Sequence, residues 1–335
     1  MNNKLYSFIV PVFNRPREVK ELLESFIKLV GHIDYEILII EDGSTEKSES
    51  IVKDFADKLD IKYYFKKNTG PGDSRNFGMQ KASGDYFIIL DSDVILPKTY
   101  LKTVDSFLKD NDIDCFGGPD AAHSSFSDIQ KAIDFAMTSF ITTGGIRGKT
   151  SDTENFQPRS FNMGISKKAF KASSGFGQIH PGEDPDLVLR LWKMGFKTTL
   201  IKDAFVYHKR RISWKKYFNQ VYKFGVVRSI LNVWHPHSKK ITYWFPTLFS
   251  IGLLCSIIFV FFFTKVFFLL YLLYFTVAFT LATTKTKSIT IGFKSILAIL
   301  IQFFGYGYGF LKSTFALQIL GKTPETHFHQ FFYKK

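Results

Sequence analysis

Short apolar runs alternate with amphipathic segments in the first two thirds of the chain, whereas the last third is apolar almost throughout. Runs typical of buried parallel strands, with helical patterns between them, recur along the first part. The predicted strands cover residues 6–12, 36–40, 61–65, 86–90 and 198–207. The predicted helices cover residues 17–29, 46–59 and 74–82. This order predicts an α/β domain with a mostly parallel, Rossmann-like sheet.

The last third contains candidate membrane helices, since a hydrocarbon core about 30 Å thick needs roughly 20 apolar residues in a helix. Residues 241–263 contain no charged side chain. Residues 266–282 give a second candidate, and residues 289–311 give a third that is interrupted by Lys294 and the series Gly305, Gly307 and Gly309. The sequence therefore predicts two or three C-terminal transmembrane helices.

The segment between these two parts has a helical pattern with aromatic and basic faces. Its position beside the first span favours an amphipathic helix in the membrane interface, and packing on its own domain is the alternative. The predicted organisation is a catalytic domain over 1–212, an interfacial helix and linker over 213–240, a transmembrane region over 241–320 and a tail over 321–335.

Composition and charge limit the compartment and the partners. The only two cysteines, Cys115 and Cys255, lie on opposite sides of the predicted boundary, which argues against a disulfide framework. The net charge is +14, and many of the basic residues precede the first span. This distribution favours a cytoplasmic first domain and an anionic lipid surface as partner, and no nucleic acid. We expect a multi-pass protein of the cell membrane.

Carboxylates follow the apolar runs. Asp91 and Asp93 come directly after the strand at 86–90, and Asp42 follows the strand at 36–40. Ligands of open α/β sheets bind beyond the carboxyl ends of the strands, so these side chains are expected at one edge of the sheet. Asp-x-Asp at such an edge suits a hard divalent cation shared with substrate phosphates. The pattern predicts a site for Mg²⁺ or Mn²⁺ and a nucleotide.

Five segments in this order resemble the family-two inverting glycosyltransferases, whose catalytic domain has the nucleotide-sugar-binding GT-A fold. They are FIVPVFNRP at 8–16, EILIIEDGST at 36–45, GPGDSRNFGMQKASGDYFIILDSD at 70–93, FNMGISKKAF at 161–170 and GEDPDLVLRLWKMGF at 182–196. The resemblance covers about the first 230 residues and implies a nucleotide-diphosphate sugar as donor.

The resemblance implies a role for each motif residue. Donor-binding residues would be Pro11, Asp42, Arg75, Asp91 and Asp93, with Asp42 at the nucleobase and Arg75 at the base and diphosphate. Metal ligands would be Asp93 and His208, and Mn²⁺ suits the imidazole better than Mg²⁺ does. Acceptor-binding residues would be Asn162, Met163, Gly164 and Glu183. The catalytic base would be Asp184, which takes a proton from the acceptor hydroxyl.

Structural roles compete with several of these assignments. Asp42 is also a typical turn residue, and Arg75 also suits the exposed first turn of a helix. Glu183 and Asp184 also suit the positive end of a helix dipole. A lone histidine such as His208 is often structural.

The implied activity is transfer of a single sugar, with inversion, to a lipid-linked or other saccharide acceptor in surface-glycan biosynthesis. A processive polysaccharide synthase is one alternative, but the segment at 220–224 lacks the Arg and Trp of the Gln-x-x-Arg-Trp signature. A sugar nucleotidylyltransferase and a non-catalytic membrane scaffold are the others.

Overall fold

The structure is a computed structural model that describes residues 4–121, 126–144, 156–208 and 213–333. The described residues form two compact units. The first unit contains those within 1–123, 152–209 and 330–335, and the second contains those within 124–151 and 210–329. The units therefore do not follow the linear order of the predicted domains, because a central segment joins the later helices and the tail joins the first unit.

The strands are β1 Tyr6–Val12, β2 Tyr35–Asp42, β3 Ile61–Lys66, β4 Tyr86–Leu90, β5 Val94–Ile95, β6 Cys115–Gly117, β7 Asp120–Ala121, β8 Asn162–Ser166, β9 Thr198–Leu200 and β10 Val206–His208. The helices are α1 Pro16–Ile27, α2 Glu49–Phe55, α3 Pro71–Lys81, α4 Tyr100–Asp110, α5 Asp128–Thr138, α6 Phe140–Thr143, α7 Lys167–Ser173, α8 Glu183–Lys193, α9 Trp214–Trp234, α10 Phe245–Phe262, α11 Val266–Thr286, α12 Ile289–Thr314 and α13 Pro324–His327.

Seven strands form the main sheet of the first unit in the order β3-β2-β1-β4-β8-β6-β9. Strands β3, β2, β1 and β4 are parallel neighbours, and β8 is antiparallel to both β4 and β6. The predicted α/β fold with a mostly parallel sheet is confirmed. Since β1, β2 and β4 run in one direction, their polar carboxyl ends meet at one edge, as the sequence predicts.

The prediction of a single strand over 198–207 is wrong, because two short strands, β9 and β10, lie there. Strand β9 belongs to the main sheet, whereas β10 pairs with β5 and β7 in a separate three-stranded sheet. The exposed turn at Lys202 and Asp203 separates them, because two charged residues interrupt the apolar run there.

Alternate residues of the central strands supply two cores. Phe8 and Val10 of β1 pack with α1, α2 and α4 on one face of the sheet. Ile9 of the same strand packs with α3, α7 and α8 on the other. The period of two in side-chain direction produces this division. The sheet is thus held from both sides, which fixes the loops at its edge.

The second unit contains three helical segments long and apolar enough to cross a membrane, at 241–262, 266–286 and 289–319. The third candidate is therefore also long and apolar enough to span a membrane, and its glycines do not interrupt α12. An ideal Cβ on Gly305 would lie 2.6 Å from Val221 Cγ2, and one on Gly309 would lie 2.4 Å from the Tyr222 carbonyl oxygen. These glycines let α9 approach α12 closely, as small residues do between membrane helices. Helix α9 packs on α12 of the same unit, and its location in a membrane interface stays a prediction.

Candidate active site

Asn14, which follows β1, connects the loop after β1 with the loop after β2 through hydrogen bonds. Asn14 has a positive φ of 53°. Its Oδ1 accepts hydrogen bonds from the backbone N–H groups of Thr45 at 2.8 Å and Glu46 at 3.0 Å. Its own N–H donates to Ser44 Oγ at 2.8 Å. Sequence reasoning took Asn14 as part of a helix start and not as a site residue, although asparagine is a residue that tolerates left-handed backbone.

Asp42, the last residue of β2, organises the loop before α3. Its Oδ1 accepts hydrogen bonds from Lys66 Nζ at 2.6 Å and from the Thr69 N–H at 3.0 Å, and its Oδ2 accepts one from the Gly70 N–H at 2.9 Å. Pro11 of β1 lies opposite Ile40 in the neighbouring strand, two residues before Asp42. Both predicted donor residues therefore lie at the same edge of the sheet.

Arg75 of α3 connects two motifs that are far apart in the sequence. Its Nη1 donates to Glu183 Oε1 at 2.9 Å, and its Nη2 donates to Asp91 Oδ1 at 3.1 Å. The Arg75 side chain is 5% exposed, so its predicted alternative as a solvated helix residue is wrong. Its Nε is buried without a hydrogen-bond partner among the described residues. The guanidinium fork brings the end of β4 and the start of α8 to one site.

The two carboxylates at the start of α8 have opposite pKa shifts. Burial opposes ionisation of Glu183, but its hydrogen bond to His180 and the Arg75 charge lower its pKa to about 2. Burial and the neighbouring Glu183 charge raise the pKa of Asp184 above its ordinary value. Asp184 Oδ2 accepts the Ser160 N–H at 3.2 Å, while its Oδ1 is buried without a partner among the described residues. A raised pKa and an unpaired oxygen suit a proton acceptor.

The second aspartate of the Asp-x-Asp pair contacts a cation of the chain itself. Asp93 forms an ion pair with Arg15, which the sequence analysis did not single out as a site residue. Val94, the next residue, lies opposite His208 in the antiparallel pair of β5 and β10. The His208 side chain lies outside the described part of the structure. Within the described residues there is no group of three His, Cys, Asp or Glu side chains that could hold a metal.

The predicted acceptor strand β8 lies inside the first unit. Asn162 accepts a hydrogen bond from the Tyr100 hydroxyl at 2.6 Å and donates one to the Ala204 carbonyl at 2.8 Å. Met163 is fully buried, and an ideal Cβ on Gly164 would lie 2.0 Å from the Phe116 ring. These contacts give Asn162 a structural role, and the acceptor contacts of all three residues stay predictions.

Hydrogen bonds of Arg190 fix the first turns of α8. Arg190 Nε donates to Asp186 Oδ2 at 3.0 Å, an ion pair across one helical turn. The same guanidinium donates to the carbonyls of Ser173 and Gly175, each at 2.6 Å. Helix α8 is thereby fixed to the segment after α7, so Glu183 and Asp184 are held by a rigid element.

Comparison with known proteins places this geometry in a family context. Residues 7–173 match the family model described as Glycosyl transferase family 2. An uncharacterized glycosyltransferase of Rickettsia bellii is 36% identical over 105 residues, which is 31% of this chain and 15% of that protein. Poly(ribitol-phosphate) beta-N-acetylglucosaminyltransferase TarS of Staphylococcus aureus is 31% identical over 112 residues, 32% of this chain and 20% of TarS.

Two further matches cover more of the chain. Chondroitin synthase of Escherichia coli is 26% identical over 235 residues, which is 61% of this chain and 34% of that enzyme. The chain thus spans well under half the length of the curated relatives named here. Among solved structures, the mannosyltransferase PcManGT of Pyrobaculum calidifontis, in complex with GDP-Man and Mn²⁺, has a TM-score of 0.64 and 13% identity. That likeness covers 89% of this chain and 87% of PcManGT and concerns the fold.

Proposed function

Because the amino-terminal domain of this chain belongs to glycosyl transferase family 2, we propose that the protein is an inverting glycosyltransferase. It moves a single sugar from a nucleotide-diphosphate sugar to a saccharide acceptor, most directly a lipid-linked one, in surface-glycan biosynthesis. Its donor and acceptor chemistry takes place in the first unit. The observation that carries the proposal is the pair of hydrogen bonds from Arg75 to Asp91 and Glu183. They link the donor motif to Glu183, the residue beside the predicted base, which supports a common site.

The donor would bind along the edge of the main sheet. Asp42 and Pro11 are at the nucleobase end, and a carboxylate oxygen of Asp42 can accept a base N–H in addition to its loop contacts. Arg75 and Asp91 follow toward the diphosphate and the sugar. The positive charge and planar donor geometry of a guanidinium suit phosphate oxygens, which supports a place for Arg75 beside the diphosphate. The PcManGT complex with GDP-Man supports a nucleotide-sugar donor for this fold.

Asp184 would act as the general base. Its raised pKa makes it a better proton acceptor than an ordinary surface aspartate, while Glu183 stays ionised and balances Arg75. Asp184 takes the proton of the acceptor hydroxyl as the oxygen attacks the anomeric carbon from the face opposite the diphosphate. One in-line displacement of this kind inverts the anomeric centre, with no covalent sugar-enzyme intermediate. Glu183 and Arg75 fix the position of the base.

Asp93 and His208 would hold a divalent cation. A carboxylate and an imidazole suit Mn²⁺, and the pairing of Val94 with His208 brings their positions together. The ion pair with Arg15 also indicates that Asp93 lies where a positive charge is favoured. When bound, the cation would supply charge neutralisation at the leaving diphosphate. The PcManGT complex with Mn²⁺ supports this cofactor.

The three apolar helices of the second unit support the proposed acceptor class. Their length and composition support residence in the cell membrane, and the basic residues before the first of them support a cytoplasmic catalytic domain. An enzyme placed there meets lipid-linked acceptors and anionic lipids. Glu183 and strand β8 would contribute to acceptor binding through the loops that they support.

The test is a donor screen with the full-length protein in its membrane, using UDP- and GDP-sugars with Mn²⁺ and extracted lipids. We expect nucleoside diphosphate as product and transfer of one sugar with the opposite anomeric configuration. Release of pyrophosphate would instead identify a nucleotidylyltransferase. Long polymer would identify a processive synthase, and no turnover with any donor would favour a scaffold.

A further inference from the structure

The end of the chain returns to the first unit beside the predicted base. The His180 N–H donates to the Phe331 carbonyl at 2.7 Å, and the Tyr333 N–H donates to the Gln178 carbonyl at 3.1 Å. Between them, Ile179 and Phe332 form an antiparallel bridge. Phe331 is 3% exposed. Residues 331–333 are therefore hydrogen-bonded to the segment that leads into Glu183 and Asp184.

The last residue of the 331–333 segment, Tyr333, packs its aromatic ring against the donor loop. An ideal Cβ on Gly70 would lie 2.4 Å from both Cδ2 and Cε2 of Tyr333, so the ring packs directly on the Gly70 backbone. The centroids of the Tyr333 and His180 rings are 5.8 Å apart. Tyr333 remains 36% exposed. The ring thus lies between the loop that Asp42 organises and the loop before α8, with part of its surface open.

The charged groups around the ring are those of the candidate site. Burial raises the pKa of Tyr333, and the carboxylates of Asp42 and Glu183 raise it further, against a smaller opposite effect of Arg75. The Tyr333 hydroxyl is therefore neutral at physiological pH. The uncharged ring adds no repulsion toward the phosphates of a ligand. Its flat apolar face suits a flat, uncharged group.

We propose that residues 330–333 form one wall of the donor pocket and that the Tyr333 ring packs on the nucleobase of the donor. The inference rests on the proposed function and deepens it. Asp42 would bind the edge of the base, which leaves the flat face of the base for a neighbouring ring. Stacking of this kind accepts any base, because every base has an aromatic face. Tyr333 is then a donor-positioning residue supplied by the end of the chain.

Calorimetric titration of the full-length protein with UDP or GDP and Mn²⁺ tests this inference. Tyr333→Ala is expected to weaken binding of both nucleotides about 10-fold. Tyr333→Phe keeps the ring and is expected to stay within about threefold of the parent protein. Equal or tighter nucleotide binding by Tyr333→Ala would overturn the inference, and tighter binding would identify the tail as a plug of the pocket.

Inorganic pyrophosphate is the matched control ligand, since it has the phosphates but no base. Its affinity is expected to be the same for the parent protein and Tyr333→Ala. An equal loss for pyrophosphate and nucleotide would mean that the substitution loosens the whole site, and it would overturn the stacking role. If the parent protein bound no nucleoside diphosphate, the proposed function would fail as well. Binding and turnover in the parent with unchanged affinity in Tyr333→Ala would remove this inference alone.

Discussion

Asp91 and Glu183 accept hydrogen bonds from the same guanidinium, that of Arg75, at 3.1 and 2.9 Å. One carboxylate directly follows β4 in the donor motif, and the other begins the helix that carries the predicted base. Since Arg75 is buried between them, neither motif can move without changing the position of the other. This linkage is the physical basis for assigning both motifs to one reaction.

Arg75→Lys should lower turnover at least 100-fold, because an ammonium on a flexible stem cannot replace a planar fork that reaches two carboxylates. Both kcat and the donor KM should worsen, since the substitution affects the base and the donor side together. Steady-state kinetics on the full-length protein measure this. Arg17→Lys, on the exposed side of α1, is the matched control and should stay near the parent values. A change confined to KM would contradict the linkage.

The acid limb of the pH profile should reflect Asp184. A general base must be ionised, so kcat/KM should rise with pH through the pKa of Asp184. Burial and Glu183 raise that pKa, which puts the limb above the ordinary aspartate value of 3.8. Glu183, with a pKa of about 2, stays ionised throughout and adds no second limb. A profile that stays flat down to 3.8 would contradict the base assignment.

Gly43→Ala should destabilise the protein and weaken nucleotide binding. Gly43 has a φ of +75°, and a Cβ there would lie 2.7 Å from the Asn68 backbone nitrogen, in the loop that Asp42 holds. Left-handed strain alone costs about 1–3 kcal/mol. Gly195→Ala is the matched control, since its φ is +81° but nothing lies within 4 Å. Thermal unfolding should show a loss for both, whereas only Gly43→Ala should weaken UDP binding.

Arg15 and the divalent cation should compete for Asp93. Arg15→Gln removes the ion pair and should lower the half-saturating Mn²⁺ concentration for UDP binding severalfold. Asp93→Ala should instead remove the Mn²⁺ dependence of that binding. Calorimetry over a series of Mn²⁺ concentrations separates the two outcomes. Unchanged Mn²⁺ dependence in both variants would show that Asp93 is not a metal ligand.

Gly225→Ala should weaken the second unit. A Cβ on Gly225 would lie 2.2 Å from the Tyr306 carbonyl oxygen and would push α9 away from α12. Gly252→Ala is the control, because its Cβ would meet only the hydroxyl end of the Tyr271 side chain, at 2.5 Å. The thermal stability of the detergent-solubilised protein should fall for Gly225→Ala and change little for Gly252→Ala. Equal stability would contradict close helix packing at this glycine.

The sequence predicted the features that depend on local patterns. The apolar run of β1 has the predicted bounds, and the ends of β1, β2 and β4 meet as expected, because burial and parallel pairing follow from the residues themselves. Helix α2 is shorter than predicted. Glu41 accepts the Ser48 N–H at 2.8 Å, which keeps the residues before Glu49 in a loop.

Contacts between distant segments could not be predicted. The ion pair of Arg15 with Asp93 and the packing of Tyr333 on Gly70 join residues whose spacing carries no periodic signal. The glycines of α12 looked like interruptions of a span, since a single helix pattern does not reveal the partner helix that they accommodate. Family resemblance supplied the roles of Asp42 and Asp184, while the opposite pKa shifts of Glu183 and Asp184 required the three-dimensional structure.

The most direct test of the account is nucleoside diphosphate release by Asp184→Asn, measured beside UDP or GDP binding to the same preparation. The account predicts that turnover falls by at least 100-fold while nucleotide affinity stays within about threefold of the parent protein. That result would separate the base from the donor site. Turnover at the parent rate would contradict the assignment of Asp184 as the base and with it the proposed mechanism.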